Sequence, residues 1–132
     1  SIGWPNCGEI DIMEHVGFNP HKVFFSIHNT NLYGNVHGTS QQGVYESNSL
    51  ETSFHNYAIE WGENFIRGYI DDILYFDYSK NSDSFNDWPY DNPFFLIINL
   101  AIGGEWGGIQ GIDNSIFPAS FVSDYVRLYI KE

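Results

Sequence analysis

Three carboxylates stand close together near the start of the chain, in Gly8-Glu9-Ile10-Asp11-Ile12-Met13-Glu14-His15-Val16. Apolar residues lie between them, so the stretch reads as a β-strand, an element in which Asp and Glu are normally scarce. A period of two places Glu9 and Asp11 on one face and Ile10 and Ile12 on the other, but strict alternation then sets Met13 beside the acids and Glu14 behind them. One extra residue near Ile12 or Met13, a β-bulge, returns Glu14 to the face of Glu9 and Asp11; bulges are common beside active sites because they re-aim a side chain. Two carboxyls flanking a glycosidic bond suffice for its hydrolysis, one attacking or activating water while the other protonates the leaving oxygen. Glu9 and Glu14 fit those two roles. The charge of Asp11 between them favours a proton on a neighbouring carboxyl, and a shared proton orients the other. The competing reading is a solvated acidic strand in an acidic protein.

The elements that position these acids come from 132 residues, one domain at most, of which 42% are hydrophobic and 18% aromatic. That is enough to build a core and excludes disorder. Five Lys and Arg against 17 Asp and Glu give a formal charge of −12, which repels nucleic acid and anionic membranes and favours a neutral partner. Nine Tyr, 11 Phe and four Trp suit a polymer of neutral sugars, whose apolar ring faces stack on aromatics while the hydroxyls find polar side chains. Cys7 is the only cysteine, so no disulfide closes within the chain. Neither a run of apolar residues long enough to span a bilayer nor a leader-like stretch is present in the chain as given.

Ser1 to Cys7 reads as a loop delivering the chain into the acidic strand, with Trp4 at the cleft mouth as a sugar platform or a packing residue. Gly17-Phe18-Asn19-Pro20 is a turn, after which Lys22 to His28 returns as a strand with Phe24, Ser26 and His28 on one face. His28 then reaches the polar face of the acidic strand, in a functional or a structural role. Asn29 to Asn35 reads as a loop, with short strands expected around Val36-His37 and Val44-Glu46. His55 to Trp61, Asn64 to Asp71 and Ile73 to Tyr78 form a meander, followed by a long loop from Ser79 to Asn92 in which Trp88 is a packing anchor. Pro93 to Ala101 reads as a strand buried on both faces, with Asn99 directed to a polar cleft. Gly103-Gly104-Glu105-Trp106-Gly107-Gly108 brings the backbone close to a ligand or forms a tight turn, and Phe121 to Lys131 alternates as a last strand. Strands recurring without a helical stripe give an all-β sandwich or jelly roll.

In this order the sequence resembles glycoside hydrolase family 16, in particular its laminarinase-like endo-β-1,3-glucanases. The motifs that carry the resemblance are Gly3-Trp4-Pro5, Gly8-Glu9-Ile10-Asp11-Ile12-Met13-Glu14, His55-Asn56-Tyr57-Ala58-Ile59-Glu60-Trp61, Trp88-Pro89, Pro93 to Gly104 and Asp124-Tyr125-Val126-Arg127-Leu128-Tyr129. The resemblance implies a concanavalin-like β-jelly-roll sandwich and a retaining mechanism with Glu9 as nucleophile, Asp11 as its assisting carboxylate and Glu14 as acid/base. It implies that Trp4, His28, Asn99 and Trp106 line sugar subsites, with Glu105 beside them in the glycine-rich loop. No cofactor is expected for catalysis, and a structural calcium is expected with Asp124 as one ligand.

The resemblance implies β-1,3-glucan of the laminarin type, or mixed-linkage β-1,3-1,4-glucan, as the preferred substrate. Alternatives are another polysaccharide, of the agarose or carrageenan type, a non-catalytic carbohydrate-binding jelly roll, and an inactive interaction fragment. Domains of this family are usually built from roughly 200–250 residues, an ordinary size for a one-domain β-sandwich. Residues 1–132 therefore read as the C-terminal part of a single catalytic domain, incomplete without an N-terminal half. A second polypeptide, or a strand-exchanged copy, is expected to supply that half. Family membership makes a secreted or periplasmic location the default expectation.

Overall fold

The computed structural model describes residues 2–34 and 41–130, which divide into two compact units, Ser1–Phe94 and Phe95–Glu132. Among its described residues the first holds the strands β1 (Glu9–Glu14), β2 (Lys22–His28), β3 (Gln41–Glu46), β4 (Tyr57–Gly62), β5 (Phe65–Ile70) and β6 (Ile73–Ser79), the short α-helix α1 (Thr30–Gly34) and a 3-10 turn at Pro89–Asp91. The strands form two antiparallel three-stranded sheets, ordered β1-β2-β3 and β4-β5-β6.

Alternation explains both central strands. In β2, Val23, Phe25 and Ile27 are buried in the core, leaving Phe24, Ser26 and His28 for the opposite face; in β5, Ile66 and Ile70 point inward between Phe65, Arg67 and Tyr69. The hairpins are tight. Gly62 pairs with Phe65 across Glu63-Asn64, and β5 turns into β6 through Asp71 and Asp72, both at positive φ (46° and 66°), the backbone that matches the twist of a two-residue hairpin.

The sheets of this unit meet where the Phe25 ring stacks on Phe76, with centroids 4.6 Å apart. Gly68 makes the approach possible, because a Cβ there would lie inside contact distance of the Phe25 ring. The long loop after β6 closes the core with Trp88 and Tyr90, both buried. Trp88 lies parallel to Tyr78 at 6.0 Å, the packing role expected for it. Tyr90 Oη donates to the carbonyl of His28 at 2.8 Å, tying the loop to the end of β2.

Some local structure differs from expectation. Residues 30–34 form α1 rather than a loop: Asn29 is buried, its Oδ1 accepts from Leu32 N at 2.8 Å as a helix N-cap, and its Nδ2 donates to the carbonyl of Asp87 at 2.8 Å. The strand expected at Val36-His37 lies outside the described residues. β4 begins at Tyr57 rather than His55 because Asn56 N donates to Asp71 Oδ1 at 2.9 Å, while the His55 ring bridges Asp71 and the carbonyl of Ser49.

In the second unit, Gly103 and Gly104 adopt positive φ (72° and 83°) in a turn closed by Gly108 N to the Gly104 carbonyl at 3.1 Å. A 3-10 turn, Asn114–Ile116, is capped by Asp113. Among the described residues, the strands expected over Pro93 to Ala101 and from Phe121 onward are not formed, and the burial expected for Pro93 to Ala101 is overturned as well: Phe95 is 83% exposed. A strand exists only through its hydrogen-bonded neighbour, and among the described residues no ladder includes these segments.

Candidate active site

The acids stand where the hydrophobic pattern requires them. Glu9 lies opposite His28, Ile10 opposite Ile27 and Asp11 opposite Ser26, after which Glu14 lies opposite Phe24. Three steps along β1 therefore match two along β2, the one-residue bulge expected from the sequence. Ile10 and Ile12 pack against the core while Glu14 rejoins the polar face. A bulge leaves backbone groups without ladder partners, and here Tyr75 Oη of β6 donates to the carbonyl of Ile12 at 3.3 Å. Burial raises the phenol of Tyr75 well above its ordinary range, so it stays protonated and a donor. Gly8, at φ 77°, leads into β1 where a Cβ would come within 2.7 Å of Pro89, a position only glycine fits.

Each acid is held by a different neighbour. Trp4 Nε1 donates to Glu9 Oε2 at 2.6 Å. His28 Nε2 sits 3.0 Å from Asp11 Oδ2. Ser26 Oγ donates to Glu14 Oε2 at 2.7 Å, and Gln42 Nε2 donates to Ser26 Oγ at 3.2 Å. The rings of Trp4 and His28 are 6.0 Å apart.

Burial, then the charge of Asp11, pushes the carboxyl of Glu9 above its usual value, against the hydrogen bond from Trp4. Burial is also the main cause of the raised carboxyl of Glu14, opposed by the hydrogen bond from Ser26. For His28, burial favours the neutral ring, but the hydrogen bond to Asp11 and the charges of Asp11, Glu9 and Glu14 together outweigh it and raise its proton affinity. The arrangement can keep a proton on Glu14 into a less acidic range than a free carboxyl would, beside a second carboxyl aimed by an indole.

The first unit thus brings together Trp4, Glu9, Asp11, Glu14 and His28. Asn99, Glu105 and Trp106 are exposed residues of the second unit. Among the described residues, the group of His, Cys, Asp or Glu side chains placed to hold a metal ion is Glu9, Asp11 and His28, with ligand atoms within 4.8 Å of one another; Asp124 belongs to no such group. Ser26 and Gln42 were not anticipated as site residues. Alternation along β2 had already put Ser26 on the same face as His28, but its partner depends on register, which only the folded hairpin fixes.

A sequence profile described as glycosyl hydrolases family 16 matches residues 1–118. The chain is similar to the β-glucanase of Rhodothermus marinus, at 47% identity over 98% of this chain and 46% of that protein. It is also similar to the keratan-sulfate endo-1,4-beta-galactosidase of Sphingobacterium multivorum, at 38% identity over 96% of this chain and 29% of that protein. In three dimensions it is similar to the laminarinase from Rhodothermus marinus, with a TM-score of 0.81 and 44% identity, covering 89% of this chain and 49% of that one. The chain thus spans about half the length, or less, of the relatives it matches. With a profile match over most of its residues and the relatives' half of an all-β jelly roll, the chain belongs to glycosyl hydrolases family 16.

Proposed function

We propose that this chain carries the catalytic carboxyls of a retaining endo-β-1,3-glucanase acting on laminarin-type or mixed-linkage β-glucan. The bulge that sets Glu9, Asp11 and Glu14 on one polar face of β1 carries the reading. Glu9 attacks the anomeric carbon while Glu14 gives its proton to the departing glycosidic oxygen; Glu14 then takes a proton from water, which releases the sugar from Glu9. Asp11, paired with His28, lies beside Glu9, and its charge raises the carboxylate of Glu9 in energy, which favours attack on the anomeric carbon. Trp4 aims Glu9 and presents an indole, half of it exposed, to a sugar ring. Asn99, Glu105 and Trp106 are proposed to line further subsites.

In this proposal residues 1–132 are the C-terminal part of one catalytic domain. They work with the polypeptide that corresponds to the rest of the relatives' length, whether on the same chain, a second chain or a strand-exchanged copy. The location proposed is secreted or periplasmic. Calcium at Asp124 would require oxygen donors beyond that one carboxylate, since the ion takes about six to eight oxygens; titration calorimetry with Ca2+ tests it.

The deciding experiment measures reducing-sugar release from laminarin by the full polypeptide. Glu9→Ser is expected to lower turnover by about a thousandfold or more while oligosaccharide binding persists. Unchanged turnover in Glu9→Ser would refute the assignment, and binding without turnover in both proteins would make the chain a carbohydrate-binding module. Similarity to a keratan-sulfate endo-1,4-beta-galactosidase supports a second reading, hydrolysis of a galactose-containing polymer, and parallel assays on agarose, carrageenan and keratan sulfate separate the two.

A further inference from the structure

Gln42, Ser26 and Glu14 form a directed chain of hydrogen bonds across three neighbouring strands. Ser26 is fully buried although it belongs to the polar face of β2. Its one hydroxyl proton can point to a single acceptor. Gln42 Nε2 donates to the Ser26 oxygen at 3.2 Å, which occupies a lone pair and turns the proton towards Glu14 Oε2, 2.7 Å away. An amide nitrogen of Gln42 cannot accept, so the chain runs in one direction only. Oε2 of Glu14 is thereby an acceptor, and the transferable proton belongs on Oε1.

We infer that Ser26 and Gln42 are positioning residues for the acid/base carboxyl, holding the proton of Glu14 on Oε1 so that it is delivered to the glycosidic oxygen. The inference rests on the glucanase reading of Glu14. It also gives a role to a hydroxyl that is fully buried on the polar face of β2. The other charged or titratable groups acting on Glu14 are Asp11 and Glu9 from β1 and His28 from β2; β3 contributes the neutral Gln42.

The test uses Ser26→Ala and Gln42→Leu in the full polypeptide. Gln42 is exposed, so its replacement leaves the core untouched. The 13C shift of the Glu14 carboxyl is followed against pH, and kcat/KM is measured on laminari-oligosaccharides and on an aryl glucoside whose phenol departs without protonation. Loss of the Ser26 donor is expected to move the Glu14 titration to higher pH, and the alkaline limb of kcat/KM on oligosaccharides with it. The pH-independent rate on oligosaccharides is expected to fall by about tenfold to a hundredfold, within the range general-acid catalysis spans, while the aryl glucoside is cleaved at the wild-type rate. Gln42→Leu should shift the same quantities less. An unmoved Glu14 titration would overturn the inference, as would equal losses on both substrates, which a merely structural role of Ser26 predicts. Failure of the glucanase reading looks different: wild-type protein would cleave neither substrate while the titration shift in Ser26→Ala persisted.

Discussion

Gly68→Ala tests how tightly the two sheets of the first unit are locked. The new Cβ would meet three atoms of the Phe25 ring, with Cε2 and Cγ each at 2.7 Å, roughly 1 Å inside normal carbon contact. The ring has nowhere to retreat. It is fully buried, stacked on Phe76 at 4.6 Å and edge-on to Tyr75 at 6.2 Å. Overpacking of a tight core costs typically about 1–3 kcal/mol, and with contact on three ring atoms the upper end applies. A loss of about 3 kcal/mol lowers the folded-to-unfolded ratio by more than a hundredfold, at about 1.4 kcal/mol per factor of ten. Urea unfolding followed by tryptophan fluorescence reads this directly, since Trp88 is part of the same core. Phe25→Leu in the Gly68→Ala background should recover stability, with a coupling of at least about 1 kcal/mol between two residues in contact. A Gly68→Ala loss below about 0.5 kcal/mol, or additive effects in the double variant, would refute the claim that these positions are packed to their limit.

Two further outcomes follow from side-chain contacts. Trp4→Phe keeps a ring for the sugar but removes the donor to Glu9 Oε2, so the Glu9 carboxyl should rise further and the acidic limb of kcat/KM should move up. An unmoved limb would remove Trp4 from control of Glu9. The His55–Asp71 pair should make stability depend on pH in two windows. Its hydrogen bond to Asp71 raises His55, so that contribution is complete below the unfolded value near 6.5 and is lost as pH rises through the folded one; Asp71 is lowered by the same bond, so its share is lost as pH falls below about 4. His55→Gln should therefore cost a few tenths to about 1 kcal/mol near pH 5.5 and less near pH 8.5 in urea unfolding, and equal losses at both values would exclude the pair as the cause.

What was legible in the sequence follows the range of the interactions involved. The bulge in β1 could be inferred because two local rules conflict there: alternation sends Glu14 inward, and burial of a carboxylate forbids it. The hairpins around Gly62-Glu63 and Asp71-Asp72 were readable because turn chemistry is local. Asn29, by contrast, caps a single helical turn, too short for any periodicity to register. Residues 93–101 and 121–131 have strand-like composition, but composition states only which environment the side chains favour. Whether a ladder forms depends on a neighbour that no local pattern specifies. Ser26 shows the same limit within the site, since its face was readable while its link to Glu14 and Gln42 depends on three strands being in register.

The extra residue between Asp11 and Glu14 has a consequence for how such a site can vary. Removing either Ile12 or Met13 would leave Glu-x-Asp-x-Glu, in which plain alternation puts all three acids on one face without any kink. Phe24 would still lie opposite the last acid, and the rest of β2 would keep its pairing. Two chain lengths therefore satisfy the same patterning rule, and they differ only in where the second glutamate aims. Chain length at this point is a dial separate from side-chain chemistry, one that a scan of point substitutions would never turn and that a one-residue deletion library would.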